Sequence, residues 1–235
     1  MIIAIDGPAG SGKTSTARAV ARRLGFNHLD SGAFYRALTL AALRAEIPPE
    51  RWPALGLGDL DALGVSARAD RLGYRLFIGT IDVTEEIRSP EVNAHVSAMA
   101  RIPAVREWLL ERLRDAASGT DLVADGRDIG TVVFPNADLK VFLTADPRER
   151  ARRRLAQQGV HNPDPETLEA EVRRLEKRDR MDREREVAPL KKADDAVEVD
   201  TTSLSFEEQV GRIVDLAESR MRQGGLRNPP GVDLF

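Results

Sequence analysis

The sequence predicts an α/β fold in which a five-stranded parallel sheet carries helices on both faces. Two observations predict it. Short apolar runs of strand length alternate with longer segments whose apolar residues recur at helical spacing. A glycine-rich loop at residues 7–14, GPAGSGKT, joins the first strand to the first helix. A small antiparallel β insertion and a helical lid complete the predicted architecture.

The five predicted strands are short and mostly aliphatic. They cover residues 2–6, 27–29, 121–125, 139–144 and 196–199. The helical patterns that alternate with them cover residues 12–24, 33–45, 104–117, 147–157, 165–186 and 206–222. Parallel sheets place their ligands beyond the carboxyl ends of the strands. We therefore expect Asp6, the glycine-rich loop and Asp125 to meet at one edge of the sheet.

Residues 63–83 interrupt this alternation. They contain three short extended pieces, with turns predicted at Gly73 and at Gly79-Thr80. Such closely spaced pieces are typical of antiparallel strands joined by tight turns. The pattern predicts a small antiparallel unit inserted in the α/β core.

Residues 148–192 form a second interruption, dense in arginine and broken by GVHNP at 159–163. The pattern predicts two charged helices joined by a loop. Asp146 before Pro147, with Glu149 following, is a typical helix start. The glycines and prolines of residues 224–235 predict an irregular tail.

Composition limits the classes of protein. The chain has 235 residues, of which 42% are hydrophobic and 31% charged, with a net charge of −3. This balance argues against a uniform nucleic-acid-binding surface, and we expect no nucleic-acid partner. The absence of cysteine excludes disulfides and zinc thiolate sites. The apolar start is too short for a signal peptide and no run is long enough for a membrane helix, so we expect a cytoplasmic protein with no membrane partner. We also expect a monomer.

The glycine-rich loop fits the phosphate-binding pattern G-x-x-x-x-G-K-[ST]. Its backbone N–H groups and the following helix N-terminus can bind phosphate oxygens. Lys13 can reach the terminal phosphates, and the Thr14 hydroxyl can bind Mg²⁺. The alternative is a plain glycine-rich turn, which the flanking strand and amphipathic helix disfavour. The predicted nucleotide-binding residues are Gly7, Pro8, Ala9, Gly10, Ser11, Gly12, Lys13, Thr14 and Ser15.

A second candidate lies where the strand at 121–125 ends in Asp125 and turns through Gly126. Asp125 is placed to bind Mg²⁺ together with Thr14, directly or through water. The adjacent Arg127 and Asp128 are suited to an anionic, polar substrate. The alternative is a turn with a local ion pair.

The segment DSGAFYR at residues 30–36 gives a third candidate. We expect Ser31 to cap a helix that opens at Gly32 or Ala33, with Tyr35 and Arg36 on its first turns. Arg36 is suited to an acceptor phosphate, although a capping serine and a solvated arginine would give the same pattern.

Arginines in the predicted lid give a fourth candidate. Arg178, Asp182 and Arg185 share one helical face by their spacing, although such runs are also typical of surface ion pairs. Some of the arginines in the preceding helix are expected to touch phosphate and the rest to be solvated. These are Arg148, Arg150, Arg152, Arg153 and Arg154.

With these motifs together, nearly the whole chain resembles the bacterial cytidylate kinases, a branch of the P-loop nucleoside monophosphate kinases. The resemblance extends from residue 1 to about 222. It rests on IDGPAGSGK (5–13), LDSGAFYR (29–36), DVTEEIR (82–88), ADGRDIGTVVFP (124–135) and RDRMDR (178–183). The tail after residue 222 has no counterpart in this pattern.

The resemblance implies the P-loop kinase fold, divided into three regions. The core that binds ATP would comprise residues 1–30, 90–147 and 188–223. The region that binds the nucleoside monophosphate (NMP) would comprise residues 31–89, and the arginine-rich lid would comprise residues 148–187.

The resemblance also implies phosphoryl transfer from ATP to CMP or dCMP, giving ADP and CDP or dCDP, with Mg²⁺. Lys13, Arg127 and Arg178 would be catalytic. Ser31, Arg36 and Arg127 resemble groups around the CMP phosphate, and Arg178 and Asp182 resemble the sugar-side pair. The residues that resemble cytosine-side contacts are Ser97, Arg106, Asp128 and Arg185, and Tyr35 completes the predicted acceptor site.

Other functions stay open at this point. A P-loop kinase could act on another small acceptor, such as UMP or shikimate. A GTP-dependent switch requires a guanine-reading N/T-K-x-D motif, and the strand at 139–144 is followed by Ala145 and Asp146 without the lysine. A nucleic-acid-dependent ATPase is disfavoured by the acidic net charge and by the lack of aromatic residues among the arginines.

Overall fold

The central layer of the protein is a five-stranded parallel sheet. A computed structural model describes residues 1–70 and 73–223. Strands are numbered in chain order, and the sheet contains β1 (Ile2–Asp6), β2 (Asn27–Asp30), β6 (Leu122–Gly126), β7 (Leu139–Thr144) and β8 (Val197–Asp200). Their spatial order is β2-β6-β1-β7-β8, all in parallel pairs. The predicted parallel sheet is confirmed, and β1 and β6 lie side by side at its centre.

Helices cover both faces of this sheet. They are α1 (Lys13–Leu24), α2 (Ser31–Arg44), α3 (Leu57–Ala62), α4 (Pro90–Met99), α5 (Pro103–Ala116), α6 (Pro147–Gln157), α7 (Pro165–Arg183) and α8 (Phe206–Gln223). Helices α1 and α8 pack on one face through residues such as Val20 and Ile213. Helices α2 and α5 contribute Leu38 and Leu109 to the core on the other face. Burial of these apolar stripes is the main force that holds the layers together.

The predicted helices are all present, and the structure adds two that the sequence analysis missed, α3 and α4. Helix α3 has only six residues, which is too short for an apolar period to be recognised. Helix α4 does carry a start signal, because Ser89 caps it and Pro90 occupies its first turn. It also carries Ser97, so this omission concerns the site.

Helix α7 ends at Arg183, three residues earlier than predicted. Five residues beyond this end, Ala188 adopts a φ of 51°, outside the helical region. The backbone N–H of Leu190 instead returns to donate to the carbonyl of Asp182. Arg185 therefore lies beyond the helix, in a segment folded back on its end.

The predicted antiparallel unit is present as β3 (Val65–Asp70), β4 (Gly73–Ile78) and β5 (Ile81–Asp82). Gly73 is the first residue of β4 and pairs with Asp70 of β3, and residues 71–72 of the predicted turn lie outside the described part of the chain. A glycine is needed at position 73 since a Cβ atom would lie 2.8 Å from the carbonyl oxygen of His28. This close approach brings the insertion against β2 of the core.

The predicted lid is a hairpin of α6 and α7. The helix start at Asp146 is confirmed, since its side chain accepts hydrogen bonds from the N–H groups of Arg148 and Glu149. The two helices enclose a small apolar cluster formed by Ala151, Leu155, Leu168, Val172 and Leu175, together with Ala9 of the glycine-rich loop.

The predicted irregular tail, residues 224–235, lies outside the described residues. Within the described part of the chain, none of the helices has the length and apolarity required to cross a bilayer.

Candidate active site

The glycine-rich loop leaves the carboxyl end of β1 and wraps into α1. A Cβ atom at Gly7 would overlap the carbonyl oxygen of Leu143 on the neighbouring strand β7. Gly10 and Gly12 have φ values of 75° and 86°, in the left-handed region that glycine tolerates best. Gly12 precedes α1 directly, so the loop presents its backbone N–H groups and the helix N-terminus to the same space.

Lys13 is buried beneath this loop, and its Nζ donates a 3.0 Å hydrogen bond to the carbonyl oxygen of Pro8. Burial, together with the nearby positive charge of Arg127, lowers the pKa of Lys13 to about 7. A cation held this unfavourably is stabilised by an incoming anion. Lys13 is therefore placed to bind phosphate, as the loop pattern predicts.

Thr14 and Asp125 meet across the loop, with Thr14 Oγ1 donating to Asp125 Oδ2 at 2.6 Å. The other carboxylate oxygen lies 2.8 Å from His28 Nε2. Burial opposes the ionisation of Asp125, yet the hydrogen bonds from His28 and Thr14 hold its pKa below the usual value. The predicted pair of Mg²⁺-binding groups is thus in contact, and Asp125 is held as a carboxylate.

Asp6 ends β1 at the same edge but does not line the cleft. Its two carboxylate oxygens accept hydrogen bonds from the backbone N–H groups of Ile129 and Gly130, at 2.8 and 2.7 Å. Burial raises the pKa of Asp6 to about 6 despite these bonds. Asp6 therefore fixes the π-helical turn Ile129–Val133, which follows Asp128.

The prediction that Ser31 caps a helix was wrong. The cap of α2 is Asp30, whose side chain accepts from the N–H of Ala33, and Ser31 is the first helical residue. The Ser31 hydroxyl donates instead to the carbonyl oxygen of Asp125, at 2.8 Å. It ties the start of α2 to the end of β6, and Ser31 still lines the cleft.

Three arginines surround the space opposite the loop. Arg127 Nε donates to Asp182 Oδ2 at 2.7 Å, and Arg36 Nη1 donates to Asn93 Oδ1 at 2.6 Å. Burial lowers the pKa of Arg178 to about 9 and that of Arg36 to about 10, with repulsion from other arginines adding to the effect. The buried Nε of Arg178 has no hydrogen-bond partner among the described residues. Excess positive charge and an unpaired donor suit a bound phosphate.

A second polar cluster lies beside these arginines. Arg106 Nη2 donates to Asp128 Oδ2, and the Arg106 guanidinium lies 5.6 Å from the centre of the Tyr35 ring. Arg106 itself does not line the cleft but lies behind Asp128. Asp128, Tyr35 and Ser97 do line it. This arrangement orients a carboxylate acceptor toward the space where a polar ring could bind.

The predicted face of α7 points into the same space, since Arg178, Asp182 and Arg185 all line the cleft. Arg185 Nε donates to the carbonyl oxygen of Asp182 at 3.1 Å, and its buried Nη2 has no partner among the described residues. The i, i+4, i+7 spacing therefore brings these three residues to one cleft, although Arg185 reaches it from beyond the helix end.

The arginines of α6 have separate roles. Arg154 lines the cleft, whereas Arg150 is buried behind the glycine-rich loop. Arg148 forms an exposed ion pair with Glu169 on α7. Arg153 donates to Glu149 and Thr201, and Arg152 lies 3.6 Å from Glu149. Exposed ion pairs of this kind contribute little to stability.

These groups line one cleft of about 460 Å³. The loop residues that reach it are Ala9, Gly10, Gly12, Lys13, Thr14 and Ser15. Gly7, Pro8 and Ser11 shape the loop from outside the cleft. Of the remaining predicted site residues, all but Arg106 line it. Thr84, Arg88 and Arg174 also line the cleft and were not among the predicted site residues. Thr84 and Arg88 belong to the motif at 82–88, to which no role was given, and Arg174 lies in a charged helix whose local pattern does not distinguish it.

The sheet, the loop and the buried Lys13 define the class of P-loop nucleotide-binding proteins. A family model described as cytidylate kinase matches residues 3–219 of the chain. The chain belongs to the cytidylate kinase family, and it is a kinase.

Individual relatives agree with this assignment. A cytidylate kinase of Geobacillus sp. (strain WCH70) is 45% identical over 219 residues, which cover 93% of this chain and 97% of that protein. A cytidylate kinase of Streptococcus pneumoniae (strain 70585) is 47% identical over 223 residues, covering 93% and 98%. A crystal structure of an uncharacterized protein from Eubacterium ventriosum ATCC 27560 covers 93% of this chain and 98% of that chain, with a TM-score of 0.51 and 13% identity. That last likeness concerns the fold alone.

Proposed function

We propose that this protein transfers the terminal phosphoryl group of ATP to CMP or dCMP, giving ADP and CDP or dCDP. One observation carries the proposal: a single cleft has a phosphate-binding loop at one end and a cluster of Arg36, Arg127 and Arg178 at the other. Two anion-binding ends fit two phosphorylated substrates that meet between them. Relatives covering nearly the whole chain bear the name cytidylate kinase.

The loop binds the donor in this proposal. Its N–H groups hold the phosphates of ATP, and Lys13 reaches the phosphoryl group that moves. The attacking oxygen belongs to a phosphate that is already ionised, so the reaction requires no strong general base. Lys13, Arg127 and Arg178 reduce the repulsion between the two phosphate groups and stabilise the charge that develops between them.

The residues present fit a magnesium ion. Thr14 and Asp125 already share a hydrogen bond, and no cluster of three or more acidic, histidine or cysteine side chains suited to a metal occurs within residues 1–70 and 73–223. Mg²⁺ is commonly held by one or two protein groups together with substrate phosphates and water. The ion would supply charge neutralisation at the phosphates, with Thr14 and Asp125 as its protein ligands.

Arg36, Arg127 and Ser31 bind the acceptor phosphate in this proposal, and Arg178 and Asp182 bind the sugar. Asp128 accepts a hydrogen bond from the exocyclic amine of cytosine. Arg185 and Ser97 donate hydrogen bonds to the acceptor atoms of the cytosine ring. Arg106 holds Asp128 in place through their hydrogen bond. Uracil presents a carbonyl where cytosine presents the amine, so Asp128 disfavours it.

We further propose that the three regions expected from the resemblance act as units. The core binds ATP, residues 31–89 help to bind the acceptor through Ser31 and Arg36, and residues 148–187 cover both substrates. The protein acts as a monomer, because every group invoked for both substrates comes from one chain. Size-exclusion chromatography with light scattering measures this directly, and a dimer whose dissociation abolishes activity would refute it.

A coupled assay of ADP release tests the function, with ATP and Mg²⁺ as donor and CMP, dCMP, UMP, AMP or shikimate as acceptor. CMP and dCMP should give kcat/KM at least about tenfold above the others, since the acceptor base is read by hydrogen bonds. A preference for UMP, AMP or shikimate would overturn the assignment of the acceptor.

A further inference from the structure

Side chains of the α6–α7 hairpin form hydrogen bonds with the backbone of the phosphate loop at Ala9. Asp179 Oδ1 accepts a 2.8 Å hydrogen bond from the Ala9 N–H, and Arg150 Nη1 donates a 2.8 Å bond to the Ala9 carbonyl oxygen. The two side chains also pair with each other, with Arg150 Nη1 2.5 Å from Asp179 Oδ2. Arg150 comes from α6 and Asp179 from α7, so both helices of the hairpin hold one residue of the loop.

This clamp, formed by Arg150 and Asp179, is shielded from water. Arg150 is 5% exposed, Asp179 2% and Ala9 4%. An ion pair buried to this extent is costly to break, because removing one partner leaves the other charge unpaired. Arg150 Nε is also satisfied, since it donates to the carbonyl oxygen of Ala145 at 3.1 Å. The clamp is thus a buried, hydrogen-bonded network.

Packing reinforces the same attachment. The methyl group of Ala9 belongs to the apolar cluster inside the hairpin, beside Ala151 and Leu175. A Cβ atom at Gly10 would lie 3.1 Å from the carbonyl oxygen of Arg150 and 3.3 Å from Leu175 Cδ1. The loop therefore packs against the base of the hairpin so closely that a residue larger than glycine at position 10 would crowd Arg150 and Leu175.

The clamp reaches the chemistry through one peptide group. The N–H that Asp179 holds belongs to the Pro8–Ala9 peptide, and the carbonyl of that same peptide accepts the hydrogen bond from Lys13 Nζ, at 3.0 Å. Because a peptide group is planar, fixing its N–H also fixes the direction of its C=O. The orientation that Asp179 imposes thus sets where the Lys13 ammonium is held.

We propose that Arg150 and Asp179 are positioning residues for the donor site, which set the phosphate loop and Lys13 in place through the backbone of Ala9. The base of the hairpin is then a fixed wall of the donor site, while its other residues, Arg178 among them, face the acceptor. This inference rests on the proposed use of the loop for ATP. It assigns no contact with substrate to Arg150 or Asp179.

Isothermal titration calorimetry with ADP and, separately, with CMP tests the proposal on the full chain. Arg150→Met and Asp179→Asn should each weaken ADP binding about tenfold and leave CMP binding within about twofold of the unaltered protein. The double variant should lose little more than either single variant, because the two residues act as one unit. Glu169→Gln, which breaks the exposed pair with Arg148 on the same two helices, is the matched control and should change neither affinity.

A second measurement separates positioning from a loss of folding. Arg150→Lys keeps a charge beside Asp179 but cannot donate to Asp179, Ala9 and Ala145 together, so it should fold and still weaken ADP binding about threefold or more. In ¹⁵N-edited NMR spectra the Ala9 amide, which donates to a carboxylate, should shift in Asp179→Asn but not in Glu169→Gln. Unchanged ADP affinity in both Arg150 variants, or equal losses of ADP and CMP affinity, would overturn the proposal. A protein that binds ADP with this pattern but does not phosphorylate CMP would instead refute the proposed function alone.

Discussion

The hydroxyl of Thr14 donates a 2.6 Å hydrogen bond to the carboxylate of Asp125, joining the first turn of α1 to the end of β6. The contact brings together two residues 111 positions apart in the chain. It connects the phosphate loop to β6, which lies between β1 and β2 in the sheet, through groups able to bind a metal ion.

Asp125→Asn should therefore lower kcat by about a hundredfold or more at saturating CMP, because the charge that binds Mg²⁺ beside the phosphates is removed. Electron paramagnetic resonance with Mn²⁺ and ADP should show weaker metal binding in the variant. Asp195→Asn, which removes an exposed carboxylate paired with Lys140, is the control for charge. Normal Mn²⁺ affinity in Asp125→Asn would exclude Asp125 as a ligand.

Lys13→Met should reduce kcat about a hundredfold to a thousandfold, since a positive charge aimed at the moving phosphoryl group is lost. Arg22→Met, on the exposed side of the same helix, should leave the rate near that of the unaltered protein. Steady-state kinetics of ADP release measure both. A Lys13→Met enzyme with a normal rate would contradict the role of the phosphate loop.

Asp128→Asn should raise the KM for CMP about tenfold to a hundredfold and leave the KM for ATP unchanged. The amide keeps the shape of the side chain but has only one acceptor oxygen. Its NH2 group therefore faces either Arg106 or the amine of cytosine, and one of the two contacts is lost. Discrimination between CMP and UMP should fall in the same variant. Equal increases in both KM values would contradict a role in reading the acceptor.

The unfolding free energy should rise as the pH falls from 7 to 5, by roughly 1 kcal/mol from Asp6 alone. Burial raises the pKa of Asp6 to about 6 in the folded protein, above the ordinary value of 3.8. The folded state therefore binds the proton more tightly than the unfolded state, and the stabilisation is lost as the pH rises through about 6.

Urea unfolding at pH 7 and pH 5, in chelator and without nucleotide, measures this effect. Asp6→Asn removes the titrating group, so the difference between the two pH values should shrink by about the same amount relative to the unaltered protein. An identical pH dependence in both proteins would show that other groups cause it.

Gly7→Ala should destabilise the protein by about 2–4 kcal/mol, because the added Cβ atom would overlap the Leu143 carbonyl oxygen. Gly211→Ala is the matched control in α8, where a Cβ atom meets only Arg23 Nη1, at 3.9 Å. Helix propensity predicts that the control gains about 0.5–1 kcal/mol. Denaturant unfolding should show these opposite signs, and equal changes would contradict the close approach of Gly7 to β7.

The parallel sheet and the loop were predictable from the sequence because their signals are local. An aliphatic strand, a glycine-rich turn and an amphipathic helix follow one another within residues 2–24, and the structure reproduces that order. The face of Arg178 and Asp182 was predictable for the same reason, since helical spacing alone brings the two side chains together.

The contacts that the sequence analysis missed join distant segments. The Ser31 hydroxyl binds the carbonyl of Asp125 instead of capping α2, because Asp30 already supplies the cap. His28 reaches Asp125 because β2 and β6 are neighbours in the sheet. The order in which strands pair cannot be predicted from the sequence of either strand alone. The charged pattern around Asp179 is typical of an exposed helix surface, yet Asp179 is buried against the phosphate loop, where it contacts Ala9, 170 residues away in the chain.

Strand β6 ends in a turn that serves both ends of the cleft within four residues. Asp125 faces the phosphate loop, Gly126 leaves space for Ser31, and Arg127 and Asp128 face the opposite end. An insertion or deletion here would displace the donor and acceptor groups together. We therefore expect the length of this segment to be constrained in evolution. A descendant of this protein that changes its acceptor is expected to do so through α4, because Val96 and Ser97 line the cleft without setting the spacing of the reacting groups.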